Sequence, residues 1–172
     1  VAIDLNDGSC QILVSGSDFY ASPRLNPKGD TLCWITWSHP NMPWDDSYCE
    51  LATINDQGSL GDIVSVAGGP GESVIQPRWS PDGILYFVSD RSNWWNIYRY
   101  CQGQTEVVQA MDAEFATPQW VFGMSNYDFL DAQTLLCSFT QEGQWHLATI
   151  NLNSLEMTAV QNDYVDIADI HC

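Results

Sequence analysis

Pro77-Arg78-Trp79-Ser80-Pro81-Asp82-Gly83 is the stretch on which the fold turns. Proline at position 81 holds φ near roughly −65°, Asp82 tolerates the bridge region, and Gly83 supplies a positive φ. A tight reversal at this point joins an expected strand over 75–80 to a second one over 84–88. The second is Ile84-Leu85-Tyr86-Phe87-Val88, an apolar run rich in aromatic and β-branched residues. The motif returns upstream as Pro23-Arg24-Leu25-Asn26-Pro27-Lys28-Gly29-Asp30, and in a reduced form at Pro118-Gln119-Trp120. The first two copies begin 54 residues apart and the last two 41 apart.

Each copy precedes the same succession of patterns. A buried strand is expected at 32–37, 84–89 and 134–139, and an alternating strand at 47–54, 95–100 and 144–150. A short outer strand follows at 62–67, 105–110 and 156–160. Four strands per unit, repeating at about 40–50 residues, is the period of propeller blades. The expected fold is all-β, a partial β-propeller of four-stranded antiparallel blades. Residues 1–22 would end a preceding blade, 23–67, 75–110 and 115–160 would form three blades, and 161–172 would start a following one. The third copy is irregular: 17 residues separate Pro118 from Leu135, against 8 from Pro77 to Leu85. The apolar stretch Val121 to Phe129 is therefore expected as an insertion after the inner strand that packs on something.

Composition narrows the function. The 172 residues carry 5 Lys+Arg and 22 Asp+Glu, a formal charge of −17. So negative a surface repels phosphate and disfavours nucleic acid and anionic membrane as partners. No apolar run approaches the roughly 18 residues of a spanning helix. Val1-Ala2-Ile3-Asp4 has neither the basic nor the apolar region of a signal peptide, and the missing initiator Met points to a processed product or an excised piece. The six cysteines (10, 33, 49, 101, 137, 172) show no zinc spacing. Buried free thiols in a cytoplasmic protein are expected, with no cofactor and no metal. Asp4-Leu5-Asn6-Asp7-Gly8 lacks the ligand alternation of a calcium loop and reads as a hairpin turn. Gly68-Gly69-Pro70-Gly71 reads as an inter-blade linker.

The repeat resembles the propeller of the prolyl oligopeptidase family of serine peptidases, in its acylaminoacyl and dipeptidyl peptidase branches. It also occurs in TolB-like propellers. Longer stretches carry the first likeness further: Trp37-Ser38-His39-Pro40-Asn41-Met42-Pro43-Trp44-Asp45, Leu85 through Asn96, and Pro118 through Met124. In that family a propeller covers the active site of an α/β-hydrolase domain and restricts access to it. The resemblance implies a propeller portion that packs on such a domain and meets a peptide substrate. No catalytic residue is expected in this chain itself, because no Gly-x-Ser-x-Gly is present: Gly71-Glu72-Ser73-Val74-Ile75 and Gly123-Met124-Ser125-Asn126-Tyr127 both fail at the last glycine. The alternative is a stand-alone TolB-like scaffold that binds other proteins.

Two loops supply the candidate gating residues. The first holds His39, Asn41, Trp44, Asp45 and Asp46, between two stiffening prolines and a pair of carboxylates. It either lines the opening or packs rigidly on its neighbours. The second holds Asp90, Arg91, Trp94 and Trp95, where Asp and Arg either pair across blades or tie down the turn, and a Trp either stacks on substrate or packs between blades. Apolar end faces, formed by 1–3 and 10–14 at one end and by Val165, Ile167 and Ile170 at the other, predict self-association of the isolated chain.

Overall fold

The computed structural model describes all 172 residues and contains fourteen strands and no helix. β1 (Ala2–Ile3) and β2 (Cys10–Gln11) form a small hairpin. Three four-stranded antiparallel meanders follow. The first comprises β3 (Phe19–Leu25), β4 (Thr31–Trp37), β5 (Tyr48–Thr53) and β6 (Val64–Gly68). The second comprises β7 (Val74–Trp79), β8 (Leu85–Ser89), β9 (Asn96–Cys101) and β10 (Gln104–Gln109). The third comprises β11 (Tyr127–Phe129), β12 (Thr134–Gln141), β13 (Gln144–Asn151) and β14 (Met157–Ala159). The all-β blade architecture expected from the repeat is the architecture found.

Blades pack face to face, and β8 shows why its five residues are all apolar or small. Leu85 and Phe87 point into the core shared with the first blade, beside Ile35, Cys49 and Val74. Tyr86 and Val88 point the other way, into the core shared with the third blade, beside Phe115, Leu135 and Ile150. A strand with side chains alternating between two buried faces has no polar face to spare.

The proline of each complete repeat sits in a bulge of the inner strand. Ala21 pairs with Ile35 and Arg24 with Cys33, so Ser22 and Pro23 together stand opposite the single residue Trp34. Ile75 pairs with Val88 and Arg78 with Tyr86, which leaves Gln76 and Pro77 in the same situation. Ser22 and Gln76 adopt φ of 52° and 54°. Proline has no N–H to lose at a bulge, which reconciles it with a strand interior.

The third blade departs from expectation at one place. Its inner strand is Tyr127–Phe129, so most of the apolar stretch assigned to an insertion after that strand lies before it, and the last three residues are the strand itself. The misleading signal was Pro118-Gln119-Trp120, which copies the repeat locally but lies outside any strand. Near the C-terminus, Asp169 has a φ of 54°, as Ser22 and Gln76 do. The Ile170 amide donates to the Ser125 carbonyl at 2.9 Å, and the Cys172 amide to the Asp128 carboxylate at 3.0 Å. This segment thus runs beside Ser125 and Asp128 without forming a strand. Ile170 is buried there, so of the three residues expected on that end face only Val165 is fully in solvent.

Candidate functional site

The link from β6 to β7, Gly69-Pro70-Gly71-Glu72-Ser73, is where the two candidate loops meet. Gly68 begins it with φ of 101°, and a Cβ there would lie 2.0 Å from the Ser47 carbonyl oxygen, so only glycine fits. The first loop grips the link with Asp46, whose carboxylate accepts the Gly71 amide on one oxygen and the Asn41 side-chain amide at 2.6 Å on the other. The Ser73 hydroxyl donates to the Pro43 carbonyl at 2.9 Å. The second loop grips it with Asp90, which accepts the Ser73 amide at 2.7 Å. Arg91 closes the clasp: its Nε and Nη2 lie 2.9 and 2.8 Å from Glu72 Oε1, and the Ser89 hydroxyl donates to the same oxygen at 2.7 Å. The Arg91 guanidinium also stands 5.2 Å from the centre of the Tyr98 ring. Burial pushes the Asp90 carboxyl above its ordinary range; the Ser73 amide opposes this and Glu72 repulsion adds to it.

Asn41, Asp46, Asp90 and Arg91 therefore converge on this link, the first three through hydrogen bonds and Arg91 through its ion pair with Glu72. Arg91 pairs with Glu72 rather than with Asp90. The remaining candidates are dispersed. Asp45 accepts the Met42 amide at 2.9 Å within its own loop. His39 is exposed, with its ring edge on Phe19 at 4.9 Å and its amide on Asp18. It borders a cleft of about 170 Å³ with Trp37, Asn41, Asp46 and Tyr48. Trp95 packs on the core between the second and third blades, its amide donating to Glu114 at 2.8 Å, while Trp94 is exposed.

Trp44 does something the sequence did not disclose. Its ring meets that of Trp120 at 4.4 Å, tilted by 45°. Trp44 lies in the β4–β5 loop of the first blade and Trp120 in the β10–β11 connection that leads into the third. The contact therefore joins the first blade directly to the segment that follows the second. The same connection places Phe122 and Gly123 beside Tyr20–Arg24 of β3, bordering an open cleft of about 470 Å³. Trp120, Val121 and Phe122 are otherwise highly exposed. Glu72, Trp120 and Phe122 are the residues missed by reading motifs alone. Their signals were a lone acid in a glycine-rich link and an aromatic cluster in a loop.

No protein-family model matches the chain, and no curated protein matches it. Solved structures do. The chain is 33% identical, over 93% of its length, to a Mycobacterium tuberculosis puromycin-hydrolyzing peptidase, with a TM-score of 0.84. It is 30% identical over 87% of its length to a puromycin hydrolase, with a TM-score of 0.81. It spans about a quarter of those peptidases, 24% and 23% of their chains respectively. A likeness to TolB from Acinetobacter baumannii, at 16% identity over 91% of this chain and 36% of TolB, has a TM-score of 0.59 and shows the fold alone. With its blade sequence, bulged inner strands and these likenesses together, the chain is a portion of β-propeller that resembles the propeller of prolyl oligopeptidase family peptidases.

Proposed function

We propose that this chain restricts substrate access in a serine peptidase, packing on an α/β-hydrolase domain and limiting what reaches it to narrow peptides. The observation that carries this is the 33% identity over 93% of the chain to one quarter of a puromycin-hydrolyzing peptidase. Two features of the molecule support it. The clasp on Gly69–Ser73 resists separation of the first two blades, so passage between them is disfavoured. The Trp44–Trp120 contact ties the β4–β5 loop to the connection that leads into the third blade. Joined to a hydrolase domain carrying the catalytic serine, the chain should confine cleavage to short peptides. Trp44→Ala with Trp120→Ala should raise the length limit while leaving cleavage of the shortest peptide unchanged. An unaltered limit would overturn the gating role.

Two further readings belong with this one. A cytoplasmic location is supported by the acidic, sequon-free sequence with several buried thiols. Self-association of the isolated chain is supported by an apolar groove of about 350 Å³ on the outer face of the first blade, lined by Val1, Leu13, Val14, Leu32 and Trp34. Sedimentation at micromolar concentration tests it, and a monomer would refute it.

A further inference from the structure

Register across the blades places three residues at one level of the inner strands. Leu25 pairs with Leu32, Trp79 with Leu85, and Phe129 with Leu135. The residues just before them, Arg24, Arg78 and Asp128, are therefore equivalent from blade to blade. Arg78 is neutralised by the next position: its Nη1 lies 3.2 Å from the Asp128 carboxylate, and its Nη2 donates to the Ser125 hydroxyl at 2.8 Å. Arg24 has no such neighbour, because the next position is Arg78, a like charge.

The other arginines are accounted for. Arg78, Arg91 and Arg99 pair with Asp128, Glu72 and Glu106, while Lys28, a point charge on the exposed β3–β4 turn, makes no ion pair. Arg24 donates only to the carbonyl of Pro23, its own neighbour. In a chain of net charge −17 with five Lys and Arg, one guanidinium without an acid is a specific placement, since 22 carboxylates were available to pair with it.

Arg24 and Arg78 both line a cavity of about 190 Å³ with Leu25, Pro27, Trp79 and Asp128. The wall is ordered by the Trp79 indole N–H, which donates to the Arg24 carbonyl at 3.0 Å. Two guanidiniums against one carboxylate leave the cavity with one positive charge. Arg24 also borders the 470 Å³ cleft beside Phe122 and Tyr20, so the two spaces share this side chain. A guanidinium presents a planar fork of donors that matches a carboxylate in two parallel hydrogen bonds.

From this geometry we infer that Arg24 and Arg78 form a pocket on the inner strands that takes a carboxylate group of a peptide, with the adjoining apolar space holding the side chain next to it. The inference deepens the gating reading and rests on it, since peptides are the ligand class that reading brings to these strands. Arg24 is the working residue; Arg78 contributes field from its place on Asp128.

The test uses the purified chain with three probes: N-acetyl-Gly-Phe with a free carboxylate, its C-terminal amide, and N-acetyl-Asp-Phe amide. Binding is read from the Trp79 indole and Arg24 Nε–H signals in ¹H–¹⁵N spectra. The free-carboxylate probe should move both signals, and Arg24→Gln should weaken it by about tenfold, the scale of one charge-assisted pair. Arg24 is exposed and bonds only to Pro23, so this substitution leaves the fold intact, as unshifted Tyr127 and Asn126 signals would verify. Binding of the aspartyl amide with equal Arg24 dependence would support the pocket and assign it to acidic side chains. Its failure beside a bound free carboxylate would support the pocket and assign it to peptide C-termini. Equal affinity of the first probe and its amide, no binding of any probe, or no effect of Arg24→Gln would overturn the inference. None of these outcomes touches the length limit set by Trp44 and Trp120, so the gating reading stands or falls separately.

Discussion

Tyr127 donates its phenolic hydroxyl to the carbonyl oxygen of Gln76 at 2.6 Å. The acceptor belongs to the bulge residue of the second blade's inner strand, and the donor to the inner strand of the third. Asn126 completes the junction, its amide donating to Gln76 Oε1 at 2.8 Å and its Oδ1 accepting from Gln76 Nε2 at 2.9 Å. Gln76 holds a positive φ that costs a non-glycine residue about 1–2 kcal/mol, and these three bonds are what offset it.

Tyr127→Phe should therefore destabilise the chain by about 1–3 kcal/mol, because it leaves a buried carbonyl unpaired without changing the packed ring. Denaturant unfolding followed by Trp fluorescence measures this. A loss below about 0.5 kcal/mol would mean that another donor reaches the Gln76 carbonyl.

Glu72 is the second point of strain on removal. Its Oε1 accepts from Arg91 twice and from Ser89, with the Glu72 side chain 18% exposed and that of Arg91 34%. Glu72→Gln keeps the shape but halves the acceptor capacity and removes the charge. A loss of about 1–3 kcal/mol is expected, since the Arg91 guanidinium is left partly buried without an acid. Arg91→Met in the Glu72→Gln background should cost little more, and an additive double mutant would contradict the coupling.

How far the sequence carried these conclusions differs by element. The first two blades were legible because Pro81-Asp82-Gly83 and Pro27-Lys28-Gly29 are local turn chemistry and Leu85–Ser89 is a local apolar run. The third inner strand was not, because nothing within Ser125–Phe129 marks it. Its position is set by Gln76, 50 residues away from Asn126, and long-range hydrogen bonds leave no periodic trace. Candidate residues followed the same division. Asp46, Asp90 and Arg91 stood out as charges in loops, yet their shared partner, the Gly69–Ser73 link, resembled featureless connection. Trp44 against Trp120 joins loops 76 residues apart, which no spacing rule anticipates.

The thiols should divide sharply in reactivity. Burial pushes Cys33 and Cys137 up to about 12, and pushes Cys49 well above the ordinary thiol range. All three are buried, so neither thiolate nor reagent access is available in the native state. Cys10 and Cys172 are exposed and Cys101 is half-buried. Native titration with a disulfide reagent should label Cys10 first. Cys172 should follow more slowly, because partial burial and the Asp128 charge raise its thiol. Cys33, Cys49 and Cys137 should react only after unfolding. Labelling of any of them in the native state at the rate of Cys10 would show the blade interfaces to be open.

Asp90 predicts the direction of one pH effect. Its carboxyl is raised above the ordinary value, first by burial and further by Glu72, with the Ser73 amide pulling the other way. The folded state therefore holds the proton more tightly than the unfolded state. Stability associated with this group is highest below the ordinary carboxylate range and falls as pH rises through the raised value. Asp90→Asn removes the charge and keeps an oxygen in place to accept the Ser73 amide. This variant should match or exceed the native chain in stability at pH 7, and the difference should vanish as pH falls through the raised carboxyl value. Asp90→Ala should be less stable at every pH, by about 1–3 kcal/mol, because the Ser73 amide loses its acceptor. Unfolding curves for the three proteins between pH 3 and pH 8 separate the effects of charge and hydrogen bond. A native chain more stable than Asp90→Asn at pH 7, with the gap closing on acidification, would mean that the Ser73 amide outweighs burial and that the Asp90 charge strengthens the clasp.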